Sequence, residues 1–364
     1  MHHRNGLWTG GTRFIAYHCM QISEFLHPWR IATLALAGLG AVVFWVVGLP
    51  LPLLLGPMFA CLIAALLGAP MRGTPKISEA MRPVLGVAVG ASLTPALLDR
   101  LGEMALSVAL IPVFTLAIGV TGYPYFRRLW RFDHATSYYS AMPGGLQDMV
   151  IFGEQAGADV RALSLIHTTR VLVIVSLMPF LLTWIWDLPL TGPPGEPASS
   201  VPAREYAVML VAAIVGWWGG VRIGLFGAPI IGPLIVAGVF SLTDLLHSRP
   251  PAEVMQVAQF FLGLGIGVKY AGITMAEIKR ILSASLGYCL ILAILSVIFA
   301  EIVIQTGLAD PLQAIMAFAP GGQAEMVLLA IIAGADMAFV VTHHMVRVII
   351  VILLAPVFAR LLDR

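Results

Sequence analysis

Long apolar stretches separated by short polar breaks dominate this chain. From Ile31 to Met71 there is no charged residue and no histidine, and the only interruption is the turn signal Gly48-Leu-Pro-Leu-Pro52. A helix needs about 20 apolar residues to cross a hydrocarbon core about 30 Å thick, so this stretch predicts two spanning helices. Further apolar segments run near 83–98, 104–126, 136–157 and 162–186. The stretch 187–204 (DLPLTGPPGEPASSVPAR) is polar and proline-rich and reads as a linker. The pattern then resumes near 205–226, 228–246, 254–268, 281–306, 312–333 and 337–360.

The second set of segments repeats the first. At one constant displacement Pro143-Gly144-Gly145 falls on Pro320-Gly321-Gly322, Asp159 on Asp336, His167 on His344, Arg170 on Arg347 and Pro179 on Pro356. From 143 to 179 more than a third of the positions are identical without a gap, and Asp148 faces Glu325. Two unrelated apolar segments would match in Leu, Val and Ala; these match in Pro, Asp, His and Arg. The expected organisation is an N-terminal tail (1–30), a first membrane repeat (31–187), a linker (188–204) and a second repeat (205–364). Within the tail, 1–19 read as loose. The first apolar run reads as a spanning helix rather than a cleavable signal peptide, because no polar mature segment follows it.

Charge placement decides how the repeats are oriented. If each Pro-Gly-Gly segment is re-entrant or broken, each half crosses five times and the halves are inverted. With the N-terminus inside, Arg100, Arg204 and Arg249 are then the outer Lys and Arg residues of the loops. Twelve full crossings would instead put Arg222, Lys269, Lys279 and Arg280 outside. The inner face of a membrane protein carries the excess of Lys and Arg, which favours inversion. The expected fold is therefore an all-α polytopic bundle of about 10, at most 12, transmembrane helices in two homologous repeats.

Composition narrows the class further. Of 364 residues, 59% are apolar and 11% charged, against about 25% charged in soluble domains. That excludes a soluble enzyme, a disordered chain and a coiled coil. A net charge of +2 gives no footing for nucleic acid, and Arg127, Arg128 and Arg131 read as a cytoplasmic anchor. Three cysteines at no ligand-like spacing suggest neither disulfide nor metal.

Candidate chemistry lies where the apolar pattern breaks. Pro removes a backbone donor and Gly weakens a helix, so Pro143-Gly144-Gly145 and Pro320-Gly321-Gly322 predict opened helices. Opened backbone at membrane depth is tolerated only where it is buried or lines a cavity. A matching pair in two halves points to a transporter's central site. Asp148, Glu325, Arg170 and Arg347 are expected beside it, the arginines and carboxylates converging near a pseudo-twofold axis to bind solute or ion. Asp159, Asp336, His167 and His344 are assigned to proton coupling or to structure. Isolated charges at the bilayer centre cost about 2.5–3.5 kcal/mol, so such residues face protein or water.

The succession Pro-Gly-Gly-x-x-(Asp/Glu)-Met-Val, Gly-Ala-Asp, Arg-Val and a Pro nine residues after the Arg, present in both halves, resembles the bacterial AbrB family of integral membrane proteins. The resemblance extends from about 31 to 362 and implies a duplicated AbrB domain in a bacterial inner membrane. It departs from symmetry at Gln147 against Ala324, and Glu154 and Arg161 have apolar mates. Proteins of this kind carry the labels ammonia monooxygenase and regulator of gene expression, and are grouped loosely with antiporter-type transporters. Scattered histidines give the oxygenase label no ligand set, and neither cofactor nor metal is expected. The functional expectation is a secondary transporter of a small solute working by alternating access, with an anionic solute, proton coupling and homo-oligomerisation left open. The alternative is a membrane-embedded regulator or sensor without transport; the remotest is an oxygenase-like enzyme.

Overall fold

A computed structural model describes residues 27–93, 101–188, 190, 195–225 and 227–362; the expected loose tail lies outside them. The described residues are helical between short connections. The first half contains α1 (Pro28–Val47), α2 (Pro52–Leu66), α3 (Pro75–Ala80), α4 (Arg82–Gly90), α5 (Leu101–Pro124), α6 (His134–Ala141), α7 (Leu146–Gln155) and α8 (Val160–Trp186). The second contains α9 (Ala203–Arg222), α10 (Ala228–Leu242), α11 (Ala252–Val268), α12 (Met275–Glu277), α13 (Ser283–Gln305), α14 (Pro311–Phe318), α15 (Gln323–Ala333) and α16 (Met337–Leu362). A π-turn at Tyr125–Leu129 prolongs α5, and another at Ile278–Leu282 joins α12 to α13.

Five of the described helical stretches are long and apolar enough to cross a membrane: Pro28–Val47, Gly102–Leu129, Val160–Trp186, Met275–Gln305 and Met337–Ala355. α2, α10 and α11 are apolar but shorter. The segment expected near 83–98 is helical only to Gly90 before 94–100, which are not described. The segment expected near 136–157 is two helices, α6 and α7, separated at 142–145.

Local chemistry explains the boundaries. Pro28 opens α1, where a missing N–H costs nothing, and the chain leaves at Gly48 with φ of 73°. Asp159 accepts from the Ala162 amide at 3.0 Å and so caps α8. Asp336 caps α16 in the same way, accepting from Ala338 at 3.0 Å and Phe339 at 3.2 Å. Thr274 and Glu277 form a reciprocal capping box at α12.

Element bounds in the second half follow those of the first. α6 begins at 134 and α14 at 311, α7 at 146 and α15 at 323, α8 at 160 and α16 at 337, each pair set apart as Pro143 is from Pro320. The first helical hairpin is displaced by one residue less. In α1 and α2 the backbones touch at Gly40 and Gly56; in α9 and α10 they touch at the corresponding Gly216 and Gly232. A methyl group on Gly40 or Gly232 would run into its partner's carbonyl.

The halves interlock. α4 packs on α10 and α11 on α2, while α8 meets α13 and α16 meets α5. The core includes Leu54, Leu55, Met58, Leu85 and Val89, all fully inaccessible or nearly so. Outward faces are apolar instead: Val42, Trp45 and Val46 on α1, Leu210, Ile214 and Trp218 on α9, Leu290, Ile294 and Val297 on α13. Large exposed apolar surface marks a site of membrane or protein contact, and long, internally hydrogen-bonded apolar helices are compatible with a membrane protein.

Residues 195–202 dock on the α10–α11 connection. The Ala252 amide donates to the Glu196 carbonyl at 2.8 Å, and the Ala198 amide to Glu253 at 2.9 Å. Beside them the Glu205 carboxylate accepts from the amides of His247 and Ser248 at 2.9 and 3.0 Å. The His247 ring lies 3.0 Å from Asp244 and 3.3 Å from Glu205.

Two expectations follow. Gly216→Val should lower the melting temperature in detergent sharply, by about 1–3 kcal/mol of overpacking. Gly219→Val, one turn on and with open space around it, should leave melting unchanged; equal effects would contradict this packing. The second concerns His247, whose pKa Asp244 and then Glu205 raise above the ordinary value. Its contact is therefore fully present below about pH 6.5 and is lost as pH rises through the elevated value. An NMR titration should show His247 titrating above a free imidazole, and Asp244→Asn should move it down; an unshifted titration would refute the contact.

Candidate functional site

A helix that stops in apolar surroundings leaves carbonyls without partners. α6 stops at Ala141 and α14 at Phe318, and side chains from neighbouring helices accept the task. His167 Nε2 lies 3.0 Å from the Tyr139 carbonyl, and Arg170 donates to the carbonyls of Met142 at 3.3 Å and Gly144 at 3.0 Å. In the other half His344 Nε2 lies 3.0 Å from the Met316 carbonyl and Arg347 donates to Ala319 at 3.0 Å. His and Arg are three apart on α8 and α16, and the carbonyls they grip are three apart as well. Hydroxyls of α13 complete the braces: Tyr288 donates to the Ala141 carbonyl at 2.5 Å and Ser296 to the Phe318 carbonyl at 3.0 Å.

Arg347 also donates to His344 Nδ1 at 3.1 Å. That bond leaves the proton of the His344 ring on Nε2, donating to Met316. Both rings and both guanidinium groups are buried, the arginines at 3% exposure.

The breaks themselves are extended. Met142 (φ −71°, ψ 132°) and Gly145 (φ −65°, ψ 142°) carry the chain from α6 into α7, and Ala319 (φ −64°, ψ 126°) and Gly322 (φ −70°, ψ 143°) do the same between α14 and α15. Neither Gly145 nor Gly322 can offer a capping side chain, so the first amides of α7 and α15 point outward without one. Asp148 and Glu325 occupy the third position of these helices.

Both breaks open onto one cavity of about 330 Å³, a size typical of small-molecule sites. It is lined by Pro143, Gly144, Gly145 and Asp148 from one half and by Gly321, Gly322 and Glu325 from the other, with Arg170 and Arg347 behind them. Pro320 lies buried next to this lining. Thr168, Val171 and Val348 also contribute. Three buried polar atoms on this wall, Thr168 Oγ1, Arg170 Nε and Arg347 Nε, find no partner among the described residues.

The cavity has a mouth formed by Ser78 and Glu79 on α3, Arg82 on α4, and Lys269 just after α11. The repeat singles out none of these, because their counterparts in the other half are Met255, Gln256, Gln259 and Ser92. No sequence signal finds Arg82 and Lys269, because both lie far along the chain from Pro143 and Pro320.

The structure distributes the remaining expected site residues differently. Arg170 and Arg347 reach backbone carbonyls, not the carboxylates of Asp148 or Glu325, so the expected arginine–carboxylate pairs are replaced by braces on the breaks. Asp159 and Asp336 lie away from the cavity as helix caps. Arg161, whose mate is apolar, is half-exposed and pairs with Glu277 while donating to the Gly272 carbonyl at 2.9 Å. Gln147 and Ala324, where the repeats depart from symmetry, have side chains outside the described set. Among the described residues no three His, Cys, Asp or Glu side chains converge as metal ligands would.

These features define a helix-bundle protein of membrane type with a polar cavity between two broken helices. The profile of the family described as transition state regulatory protein AbrB matches residues 53–363. The chain belongs to the AbrB family. It is 31% identical to the protein YhjN of Bacillus subtilis (strain 168) over 303 residues, 77% of each chain. It is 24% identical to an AbrB protein of Escherichia coli (strain K12), whose name designates it a regulator, over 342 residues, 89% of this chain and 93% of that one. No solved structure matches the chain.

The braces can be tested directly. Arg170→Lys replaces a planar fork, whose two ends reach the Met142 and Gly144 carbonyls, with a shorter chain ending in one nitrogen that cannot stand at both places, leaving one buried acceptor unpaired at a cost of about 1–3 kcal/mol. Arg161→Lys alters a half-exposed pair and should cost below about 1 kcal/mol. Thermal denaturation of both variants in detergent should show the larger loss for Arg170→Lys; equal losses would refute the brace.

Proposed function

We propose that this protein is a secondary transporter of a small anionic solute in a bacterial inner membrane, working by alternating access. In this reading each half crosses five times, through α1, α2, the α3–α4 unit or its mate α11, α5 or its mate α12–α13, and α8 or its mate. The α6–α7 and α14–α15 segments enter and leave on one side, and the halves are inverted. α8, at 27 residues, reaches about 40 Å at 1.5 Å per residue, enough for a tilted crossing.

One observation carries the proposal: the cavity is open on one side, and the repeat-mates of its mouth are closed. Pro75, Glu79 and Lys269 at the mouth are exposed. Their mates Ala252 (4% exposed), Gln256 and Ser92 are not. Leu262 and Ile266 line the cavity at 5% and 7% exposure, and Leu85 and Val89 at the mated positions are 0% exposed and away from it. Two homologous sets of residues in opposite states around one site are what alternating access requires: exchange of the two states moves the opening across the membrane. Arg170, Arg347 and the amide ends of α7 and α15 give the site its preference for an anion.

The name of the E. coli relative favours a second reading, a membrane-embedded regulator that binds a solute in the same cavity without moving it. Oxygenase-like chemistry receives no support from the side chains around the cavity.

The two readings separate on accessibility. In a background lacking Cys19, Cys61 and Cys289, Glu79→Cys should react with an impermeant thiol reagent from the inner side. Ser200→Cys, in the linker, should react from the outer side. Met255→Cys, now 1% exposed, should react from the outer side at a slow but measurable rate well below the unfolding temperature. A linker labelled from inside would overturn the inverted arrangement. A Met255→Cys that stays unreactive until unfolding would overturn transport in favour of a static sensor.

A further inference from the structure

Glu325 occupies an unusual place. As the third residue of α15 it is positioned to fold back over the start of its own helix, and its carboxylate lies directly over Gly322. A Cβ built on Gly322 would collide with Glu325 Oε2. The α15 amide end, which has no capping side chain, therefore faces a carboxylate that belongs to the protein. That end is also where a solute anion would bind.

The charges around it come from every wall. Glu79 on α3, Arg82 on α4 and Lys269 after α11 form the mouth; Asp148 is on α7, Arg170 with His167 on α8, and Arg347 with His344 on α16. Lys269 lies within electrostatic reach of Glu325, and Arg82 within reach of Asp148. His344 is engaged on both nitrogens, by Met316 and by Arg347, and so has no lone pair free to take a coupling proton. Among these groups a carboxylate is the one that can give up its charge and its place together.

Resting on the transporter reading, we propose that Glu325 and the anionic group of the solute compete for the single helix end at Gly322, so that a small organic carboxylate binds together with one proton. Protonation neutralises Glu325 and removes its attraction to the α15 amides. The solute carboxylate then takes the vacated position and meets the spare donors of Arg347, Arg170 and Thr168. The apolar wall of Leu146, Val171, Ile230, Ile266 and Val348 fits a short hydrocarbon chain and gives nothing to the outer oxygens of phosphate or sulfate. No bond other than that to the proton is made or broken: the Glu325 carboxylate gains the proton that solution loses, and the site's net charge is unchanged when proton and monoanion enter together.

The test is calorimetric binding to the purified full-length protein in detergent, with butyrate, succinate and inorganic phosphate as probes between pH 5.5 and 8. Butyrate or succinate should bind, and bind more weakly as pH rises through this range, by up to about tenfold per pH unit for a one-proton linkage, and phosphate should not bind. Glu325→Gln should bind the same carboxylate with no pH slope. Wild-type titrations in buffers of different ionisation heat should show uptake of about one proton per anion, a result that does not depend on the variant folding. Carboxylate binding without a pH slope or without proton uptake would overturn the competition while leaving the transporter reading intact. A slope that persists in Glu325→Gln and vanishes in Asp148→Asn would also overturn it, moving the role to the other half. Binding of phosphate alone, or of none of the probes, would overturn the carboxylate assignment; the accessibility test on Met255→Cys would then still judge transport separately.

Discussion

The structure depends on how two interrupted helices are made tolerable inside a packed core. Each break frees carbonyls that in a continuous helix would be bonded four residues on, and an unpaired buried carbonyl costs about 1–3 kcal/mol. The His-x-x-Arg step on the following long helix answers three of these carbonyls in the first half and two in the second, and in each half a hydroxyl from α13 answers one more. The arrangement explains why arginines are buried in so apolar a chain. They are not there to neutralise a carboxylate; they replace the missing turn of helix. With the carbonyls held, the other side of each break, the amide end of α7 or α15, is left facing a cavity.

Holding the breaks still requires that the halves be locked together. α4 packs on α10 and α11 on α2 at glycines where backbone meets backbone: Gly86 against the Ile230 carbonyl, Gly90 against that of Leu234, and Gly263 and Gly267 against those of Leu54 and Met58. Such close approach makes each of these contacts dense and intolerant of side chains. It also makes them flat, which favours sliding of one unit against another over gradual deformation. The same exchange of partners places residues of both halves at the mouth of the cavity.

Much of this was legible because rare residues recur at one displacement. Pro143, His167 and Arg170 stand out in a sequence of Leu, Val and Ala, and their mates make the breaks and the long helices visible in the sequence alone. The limits of that signal are equally physical. Gly40 and Gly56 match Gly216 and Gly232 one position short of the displacement that relates the breaks, so a search at a single displacement passes over them. Arg82 and Lys269 have Gln259 and Ser92 as mates; the repeat cannot report a feature that symmetry does not share. Asp159 and Asp336 looked like charges in the membrane, but an aspartate directly before a long apolar run is also the usual cap of a helix, and they cap. The arginine–carboxylate pairing failed because sequence shows which side chains are near a break but not that the backbone itself would be their partner.

The two halves are not equivalent, and the difference lies in one hydrogen bond. Arg170 uses both terminal nitrogens on the first break, reaching Met142 and Gly144. Arg347 uses one on Ala319 and turns the other to His344, so the carbonyl of Gly321, the mate of Gly144, is not held by it. The second break is therefore tied at fewer points than the first. It is in this less tethered half that the acid is the longer Glu325, with its carboxylate over the glycine that starts the helix. The asymmetry is therefore one of tethering: the first break is held at the Met142 and Gly144 carbonyls by one guanidinium, whereas the second is held at Ala319 alone by its counterpart.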